Sequence, residues 1–292
     1  MMVPAAAAAT GHPWDQAAHG WNRHTPIIRA WLEEATRAML DAARIAPGDK
    51  VLDIAAGAGD QSLDIALRVG EQGRVLATDV SAAILALAAD NARRAGWRNV
   101  DTQAADAQAL GLDGAGFDAA VCRLGLMFCH APLEALRSAR SALKPGGRFS
   151  ALVFSQPQTN PCLGVMMATA LRHAGSPPRS PYSPGSLLSL GEPGLLARLL
   201  HTAGFVDIEM QTIDAPFRLP TSHDYVDFVR TAGTPIMEIL APLPASAQCA
   251  AWDDMAEQLK VFSTPTGWVG PNELLLCAAT SPLLNTNAGR RS

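Results

Sequence analysis

Three aspartates stand where short apolar runs give out. Asp53 ends Val51-Leu52, Asp79 follows Val75-Leu76-Ala77-Thr78, and Asp106 follows a weaker run near Val100–Gln103. After Asp53 the chain reads Ile54-Ala55-Ala56-Gly57-Ala58-Gly59-Asp60, so five successive residues lack bulky side chains. Such a loop lets a ligand approach the backbone, and the helix after it presents unpaired N–H groups. A dinucleotide fingerprint G-x-G-x-x-G counted from Gly57 and Gly59 needs glycine at position 62, where this chain has Ser62. A carboxylate directly before the loop repels a pyrophosphate but suits a ligand bearing an ammonium group.

S-adenosylmethionine has that ammonium, a cationic sulfonium and no phosphate. An acid at the tip of a second strand accepts two hydrogen bonds from ribose hydroxyls, which is the part expected of Asp79. Asp106 is placed to accept from the adenine amino group, with Val80 and Ala107 closing on the faces of the base. Taken singly, each acid reads more readily as a solvated loop or helix-capping residue. The order of small-residue loop, acid and acid at three successive strand tips carries the cofactor reading.

The elements that position these groups follow from periodicity. Residues 26–46 carry Ile28, Trp31, Leu32, Ala35, Met39 and Ala43 at helical spacing, and Pro47-Gly48-Asp49 stops them. Strands are expected at Val51–Ala55, Arg74–Thr78, Val100–Gln103, Phe117–Cys122 and Arg148–Phe154. Between them lie helices starting near Gln61, capped by Ser81 and stopped at Gly96, and opened by Pro132. Alternating strands and helices of this length predict a parallel sheet covered on both faces, an α/β, doubly wound architecture.

Residues 156–192 are rich in Pro, Gly and Ser, with one helix expected around Gly164–His173, and read as a mobile cap or loop insertion. Pro193 then opens a helix that ends at Gly204. A strand at Val206–Ile213, helices at about 222–232 and 246–262, and a last strand at Glu273–Ala278 complete the chain. The division expected is an N-terminal lid over 1–25, a binding core over 26–155 and the cap over 156–192. The core sheet resumes over 193–282 with a helical insertion at about 220–265, and 283–292 is a tail.

With these elements in place the sequence resembles the class I S-adenosylmethionine-dependent methyltransferases, in the branch similar to the ubiquinone/menaquinone C-methyltransferases. Val51–Gly59, Val75–Val80, Ala105–Ala107, Phe117–Phe128 (FDAAVCRLGLMF) and Leu143–Arg148 (LKPGGR) carry the resemblance. It implies a seven-stranded Rossmann-like sheet whose last strand runs antiparallel, and cofactor contacts at Asp53, Ala55, Gly57, Gly59, Asp79, Val80, Asp106, Ala107 and Cys122. The family's G-x-G-x-G begins with Ala55 here. It also places Trp14-Asp15-Gln16-Ala17-Ala18-His19-Gly20-Trp21-Asn22-Arg23-His24 over the cofactor as a lid.

Methyl transfer is an in-line displacement at carbon, so the protein supplies positioning and water exclusion, with a base only where the nucleophile carries a proton. No Asn/Asp-Pro-Pro-aromatic run follows the fourth strand, where Cys122-Arg123-Leu124-Gly125 stands instead, and no acid ends that strand to hold a metal. His130 reads as a base over the transferred methyl or as a helix-capping surface residue. Arg123 matches an arginine thought to activate the substrate in the quinone enzymes, or makes a structural salt bridge. Trp14, His19, Trp21, His24, Met127, His223 and Tyr225 are the candidates for the acceptor pocket. Met166, Met167, Leu171, Ile236, Met237 and Leu240 lean toward a hydrophobic acceptor, or else are core.

Composition bounds the rest. The chain has 292 residues, 48% hydrophobic and 17% charged, which excludes wholesale disorder and gives room for a sizeable core. A net charge of −4 with scattered basic residues argues against nucleic acid. No apolar run approaches a membrane span, and Met1–Thr10 lacks the charged start of a signal peptide. Five widely spread cysteines, an odd number without a C-x-x-C pair, fit a reducing cytoplasm and no structural zinc.

The expectation is therefore a methyltransferase acting on an oxygen or carbon of a small, largely apolar molecule. A specialised metabolite is preferred to a quinone, because Arg123 is followed by Leu124 where the quinone enzymes have Asn. A homodimer is left open as its assembly. A nicotinamide oxidoreductase and a non-catalytic cofactor-binding relative are the rival readings.

Overall fold

A computed structural model describes residues 13–283, so the expectations for Met1–Thr10 and most of the 283–292 tail lie outside the described residues. In chain order the elements are α1 (Pro13–Arg23), α2 (Thr25–Ala42), β1 (Lys50–Ile54), α3 (Asp60–Val69), β2 (Arg74–Asp79), α4 (Ala82–Arg94), β3 (Val100–Ala104) and β4 (Phe117–Arg123). Then come α5 (Pro132–Ala142), β5 (Leu143–Phe154), α6 (Pro161–His173), α7 (Leu195–Thr202), β6 (Val206–Asp214), β7 (Phe217–Leu219), α8 (Ser222–Ala232) and α9 (Thr234–Leu240). The chain closes with α10 (Ala245–Leu259), β8 (Ser263–Thr264), β9 (Gly267–Gly270) and β10 (Glu273–Thr280).

Seven strands form one sheet in the order β3-β2-β1-β4-β5-β10-β6. β1 to β5 pair in parallel, while β10 runs antiparallel to both β5 and β6, as the resemblance implied. The strand order reverses between β2-β1 and β4, and ligands of doubly wound sheets bind at such a switch point, outside the carboxyl ends of the strands. β1 and β4 are buried along nearly their whole length, which is why they read as continuous apolar runs rather than alternating ones. β6 occupies an edge and is exposed over most of its residues, so its apolar/polar alternation is not matched by an alternation in burial.

Several expected starts and stops hold, but α2 ends at Ala42, short of the stop expected at Pro47, with Arg44 turning left-handed at φ +53°. Ser81 caps α4 by accepting from the Ile84 N–H, and Gly96 follows that helix at φ +84°. The segment before α2 is itself helical: α1 carries both tryptophans of the expected lid. Gly20 is what lets α1 seat on α8, since a Cβ there would lie 1.9 Å from the Thr231 carbonyl oxygen. Asp15 accepts from the Ser81 hydroxyl, and Asn91 donates to both Asn22 (2.8 Å) and the Ala58 carbonyl (3.0 Å).

The cap is tied down rather than loose. α6 packs on α10 with Arg172 and His173 both bound to Asp254, and Ser189 donates to the Met127 carbonyl at 2.7 Å. Besides α1, two features were not expected: the seven-residue α9, and a small sheet in the order β7-β9-β8 that closes the insertion. Their strands of two to four residues are too short for a period-two pattern to register. No described helix is long and apolar enough to cross a membrane.

Candidate active site

A cavity of about 480 Å³ opens above the carboxyl ends of β1, β2 and β4, between the loop after β1 and helix α1. Its floor is the loop Ala55–Ala58, which the backbone holds in an unusual shape. Ala55 sits at φ +54°, Gly57 at +58° and Gly59 at +80°, all in the left-handed region. Glycine is favoured there because a Cβ crowds the following carbonyl, so Ala55 keeps the loop's shape at the cost of local strain. Leu124, at φ +56°, makes the matching sharp turn after β4. Gly125 then packs so closely that an added Cβ would lie 2.3 Å from Ala55 Cβ.

Asp79 fixes the loop from the side. Its Oδ2 accepts from the Gly57 N–H and its Oδ1 from the Ser81 N–H, both at 3.0 Å. The same carboxylate lines the cavity, together with Val80 and Ala107. Asp106 lines it too and is held by Gln108, whose backbone N–H (2.9 Å) and side-chain amide (3.1 Å) both donate to it. Gln108 in turn accepts from the Ala131 N–H at 2.7 Å, joining the β3 loop to the start of α5.

Asp53 does not meet the ligand cavity, contrary to its expected contact with an ammonium group. It is fully buried under the loop, where Gln61 donates to Oδ1 at 2.6 Å and Ser62 to Oδ2 at 2.5 Å. The physical reason is strand geometry: β1 continues to Ile54, so Asp53 lies within the sheet and its oxygens face the first turn of α3. Burial pushes its carboxyl up to about 7, against the pull of the two hydrogen bonds and of Arg123. Ser62, which broke the dinucleotide fingerprint, is thus a structural partner of Asp53. Cys122 is likewise a core residue, with its thiol raised by burial, and does not line the cavity.

Arg123 lies on the cavity wall in a buried pair. Its Nη2 reaches both oxygens of Asp60, at 2.6 and 2.7 Å, and its Nη1 donates to the Thr36 hydroxyl at 2.9 Å. With that charge matched, Asp79, Asp106 and Glu238 leave the lining with an excess of negative charge. That balance favours a cationic ligand over a phosphorylated one. No group of three or more acids, histidines or cysteines able to hold a metal occurs among the described residues.

A second, smaller chamber of about 70 Å³ adjoins the cavity and shares Trp14, Trp21, Leu124, Phe128 and Pro235 with it. Trp14 packs edge-on against Phe128, with ring centroids 4.9 Å apart, at the boundary between the two. Met127 and Tyr225 line the chamber, as do Met166 and Ile236 of the apolar set. Met167, Leu171, Met237 and Leu240 line neither space. His130 is at the exposed rim of the main cavity, beside Gly185 of the cap.

The other histidines do not converge. His19 and His223 are exposed and line neither space. His24 bonds to the Thr231 hydroxyl at 2.9 Å and stands edge-on to Phe228, with burial lowering its pKa. Residues that sequence reasoning passed over include Gln108, Gly125, Phe128 and Pro235. Gly125 and Phe128 fell inside a recognised stretch, but only the close approach to Ala55 and the ring contact with Trp14 reveal their parts.

Residues 27–169, just under half of the chain, match the ubiE/COQ5 methyltransferase family. Over 136 residues the chain is 35% identical to the ubiquinone/menaquinone biosynthesis C-methyltransferase UbiE of Pasteurella multocida, covering 46% of this chain and 49% of that protein. The corresponding UbiE of Idiomarina loihiensis is 39% identical over 132 residues, covering 45% and 51%. The chain thus spans about half the length of the curated relatives it matches. Among solved structures, the [4+2]-cyclase SpnF superposes with a TM-score of 0.57 at 20% identity, covering 94% of this chain and 98% of that one. A phosphoethanolamine N-methyltransferase of Haemonchus contortus, solved with S-adenosyl-L-methionine, gives 0.52 at 16% identity, covering 85% and 52%. These likenesses establish the shared Rossmann-like fold.

Proposed function

Taking the ubiE/COQ5 methyltransferase match of residues 27–169 as premise, we propose that the protein is an S-adenosylmethionine-dependent methyltransferase acting on a small, largely apolar molecule. One observation carries the reading: an acidic cavity at the switch point of the sheet, floored by a left-handed small-residue loop that Asp79 clamps through Gly57. A pyrophosphate would meet the carboxylates of Asp79, Asp106 and Glu238 there, which disfavours a nicotinamide cofactor.

The residues present suit the nucleoside. Asp79 would hold the ribose, Asp106 and Gln108 the adenine edge, and Val80 and Ala107 its faces. The methionine end would lie along Ala55–Ala58 and the turn Leu124–Gly125. When bound, the cofactor supplies an electrophilic methyl group.

The chain's own part is alignment and dryness. Trp14, Trp21 and Phe128 stand between cavity and chamber, and the chamber lining has no acid, histidine, lysine or arginine among the described residues. Water exclusion strengthens the attraction between a nucleophile and the cationic cofactor. His130, at the rim, is the nearest candidate for a base. An acceptor whose oxygen or carbon is already electron-rich suits this site, and a carbon nucleophile of a quinone precursor is the second reading, supported by the relatives' names.

Calorimetry with S-adenosylhomocysteine tests the assignment. Binding at micromolar concentrations is expected, with a loss of about 2 kcal/mol or more on Asp79→Ala, the scale for hydrogen bonds to a charged group. Undetectable binding by the unsubstituted protein would overturn it, as would unaltered affinity in the variant.

A further inference from the structure

Tyr225 brings a hydroxyl to the wall of the apolar chamber. It is 1% exposed, its ring stacked on Trp268 and edge-on to Phe217, with centroids 5.0 Å away in each case. Two neighbouring indoles are satisfied, Trp31 donating to the Ala215 carbonyl and Trp268 to the Leu259 carbonyl, both at 2.7 Å, while Trp21 Nε1 of the same lining is buried without a partner among the described residues. No hydrogen bond of the Tyr225 hydroxyl occurs among the described residues, and its oxygen is not one of the fully enclosed polar atoms left without a partner. A hydroxyl on the wall of an apolar chamber adds nothing to packing, so phenylalanine would fill this position as well, and the oxygen is left for a ligand.

The chamber's size limits what could pair with it. About 70 Å³ is less than half of the roughly 150 Å³ that accommodates a benzene. The chamber therefore takes one end of a molecule whose body lies in the larger cavity. Trp14, Trp21 and Phe128 border both spaces, so a ligand reaching from one to the other passes between these three rings.

We propose that Tyr225 is a specificity-determining residue for the acceptor: its hydroxyl hydrogen-bonds an oxygen at the apolar end of that molecule, seating the opposite end beside the cofactor. The acceptor class is then a small apolar compound with an oxygen remote from the methylated atom. This rests on the methyltransferase reading, and goes beyond it by naming how the acceptor is oriented.

The test uses two ring probes that differ in one hydroxyl, 4-fluorophenol and fluorobenzene, followed by fluorine NMR with the full chain saturated in S-adenosylhomocysteine. The unsubstituted protein is expected to bind 4-fluorophenol more tightly than fluorobenzene. Tyr225→Phe should weaken 4-fluorophenol about three- to tenfold and leave fluorobenzene unchanged, the range for one neutral hydrogen bond. S-adenosylhomocysteine affinity, measured on the same samples, should be unaltered and reports that the variant is folded. Equal effects on both probes, or no effect on either, would overturn the proposal. So would a lack of preference for the phenol in the unsubstituted protein. If that protein fails to bind S-adenosylhomocysteine, the methyltransferase reading falls and takes this inference with it.

Discussion

Arg123 and Asp60 face each other through two short contacts, 2.6 and 2.7 Å, on the wall of the ligand cavity with only 6% and 12% of their side chains exposed. The pair joins the end of β4 to the first turn of α3, and so sets the distance between the two loops that a ligand must bridge. Arg123→Met would strand a buried carboxylate beside Asp53, and a loss of about 3–5 kcal/mol is expected in urea unfolding. Adding Asp60→Leu should recover most of that loss. A stable but inactive Arg123→Met protein would instead assign the guanidinium to the chemistry.

Asp53 gives a pH dependence whose sign can be worked out. Burial pushes its carboxyl up to about 7 in the folded chain, against 3.8 for an ordinary aspartate. The folded state therefore holds the proton more tightly, and folding gains from it at low pH. Stability contributed by this group should fall as pH rises from about 4 to 7 and level off above that. Asp53→Asn should flatten the decline in that window, read from unfolding midpoints at a series of pH values. An unchanged slope would mean that the group is ionised throughout.

Gly125 and Ala55 form a matched pair. Gly125→Ala would drive a methyl to 2.3 Å from Ala55 Cβ and 3.2 Å from Cys122 Sγ, so overpacking of about 1–3 kcal/mol is expected, with weaker S-adenosylhomocysteine binding. Ala55→Gly in the same chain should restore both. Alone, Ala55→Gly removes a left-handed alanine costing about 1–2 kcal/mol but adds about 0.5–1 kcal/mol of unfolded-state entropy, for a net gain near zero or slightly positive. Thermal unfolding together with calorimetry of the four proteins would measure the coupling directly.

Helix α1 is held by close backbone approach as much as by hydrogen bonds. Gly20→Val would place its Cβ 1.9 Å from the Thr231 carbonyl oxygen and should lift α1 from α8. Trp14 and Trp21 then leave the wall between the two spaces. The expected result is about a tenfold loss of S-adenosylhomocysteine affinity and faster proteolysis before residue 25, with the unfolding midpoint of the core little changed. Cofactor affinity that survives the substitution would show that α1 serves the acceptor alone.

Much of this protein was legible before any fold was known, because the relevant signals are local. A buried parallel strand must be an apolar run, and a loop that lets a ligand reach backbone must be built of small residues. The acids at the strand tips had to be close to one another once the strands were parallel. Val51–Ile54, the Ala55–Gly59 loop, Asp79, Asp106 and the Ser81 cap all belong to that class.

What tertiary structure decided is where side chains ended up pointing. Whether Asp53 faces ligand or core depends on how far β1 runs before it turns, and Gln61 and Ser62 had to close on it from the next helix. Arg123 acquired its partner from a helix sixty-three residues away in sequence, and Tyr225 reached the chamber only because α8 packs against α1. Such juxtapositions leave no periodic trace in the chain. They arise from long-range packing, where the identity of a neighbour is settled by the path of the backbone and not by the residue itself.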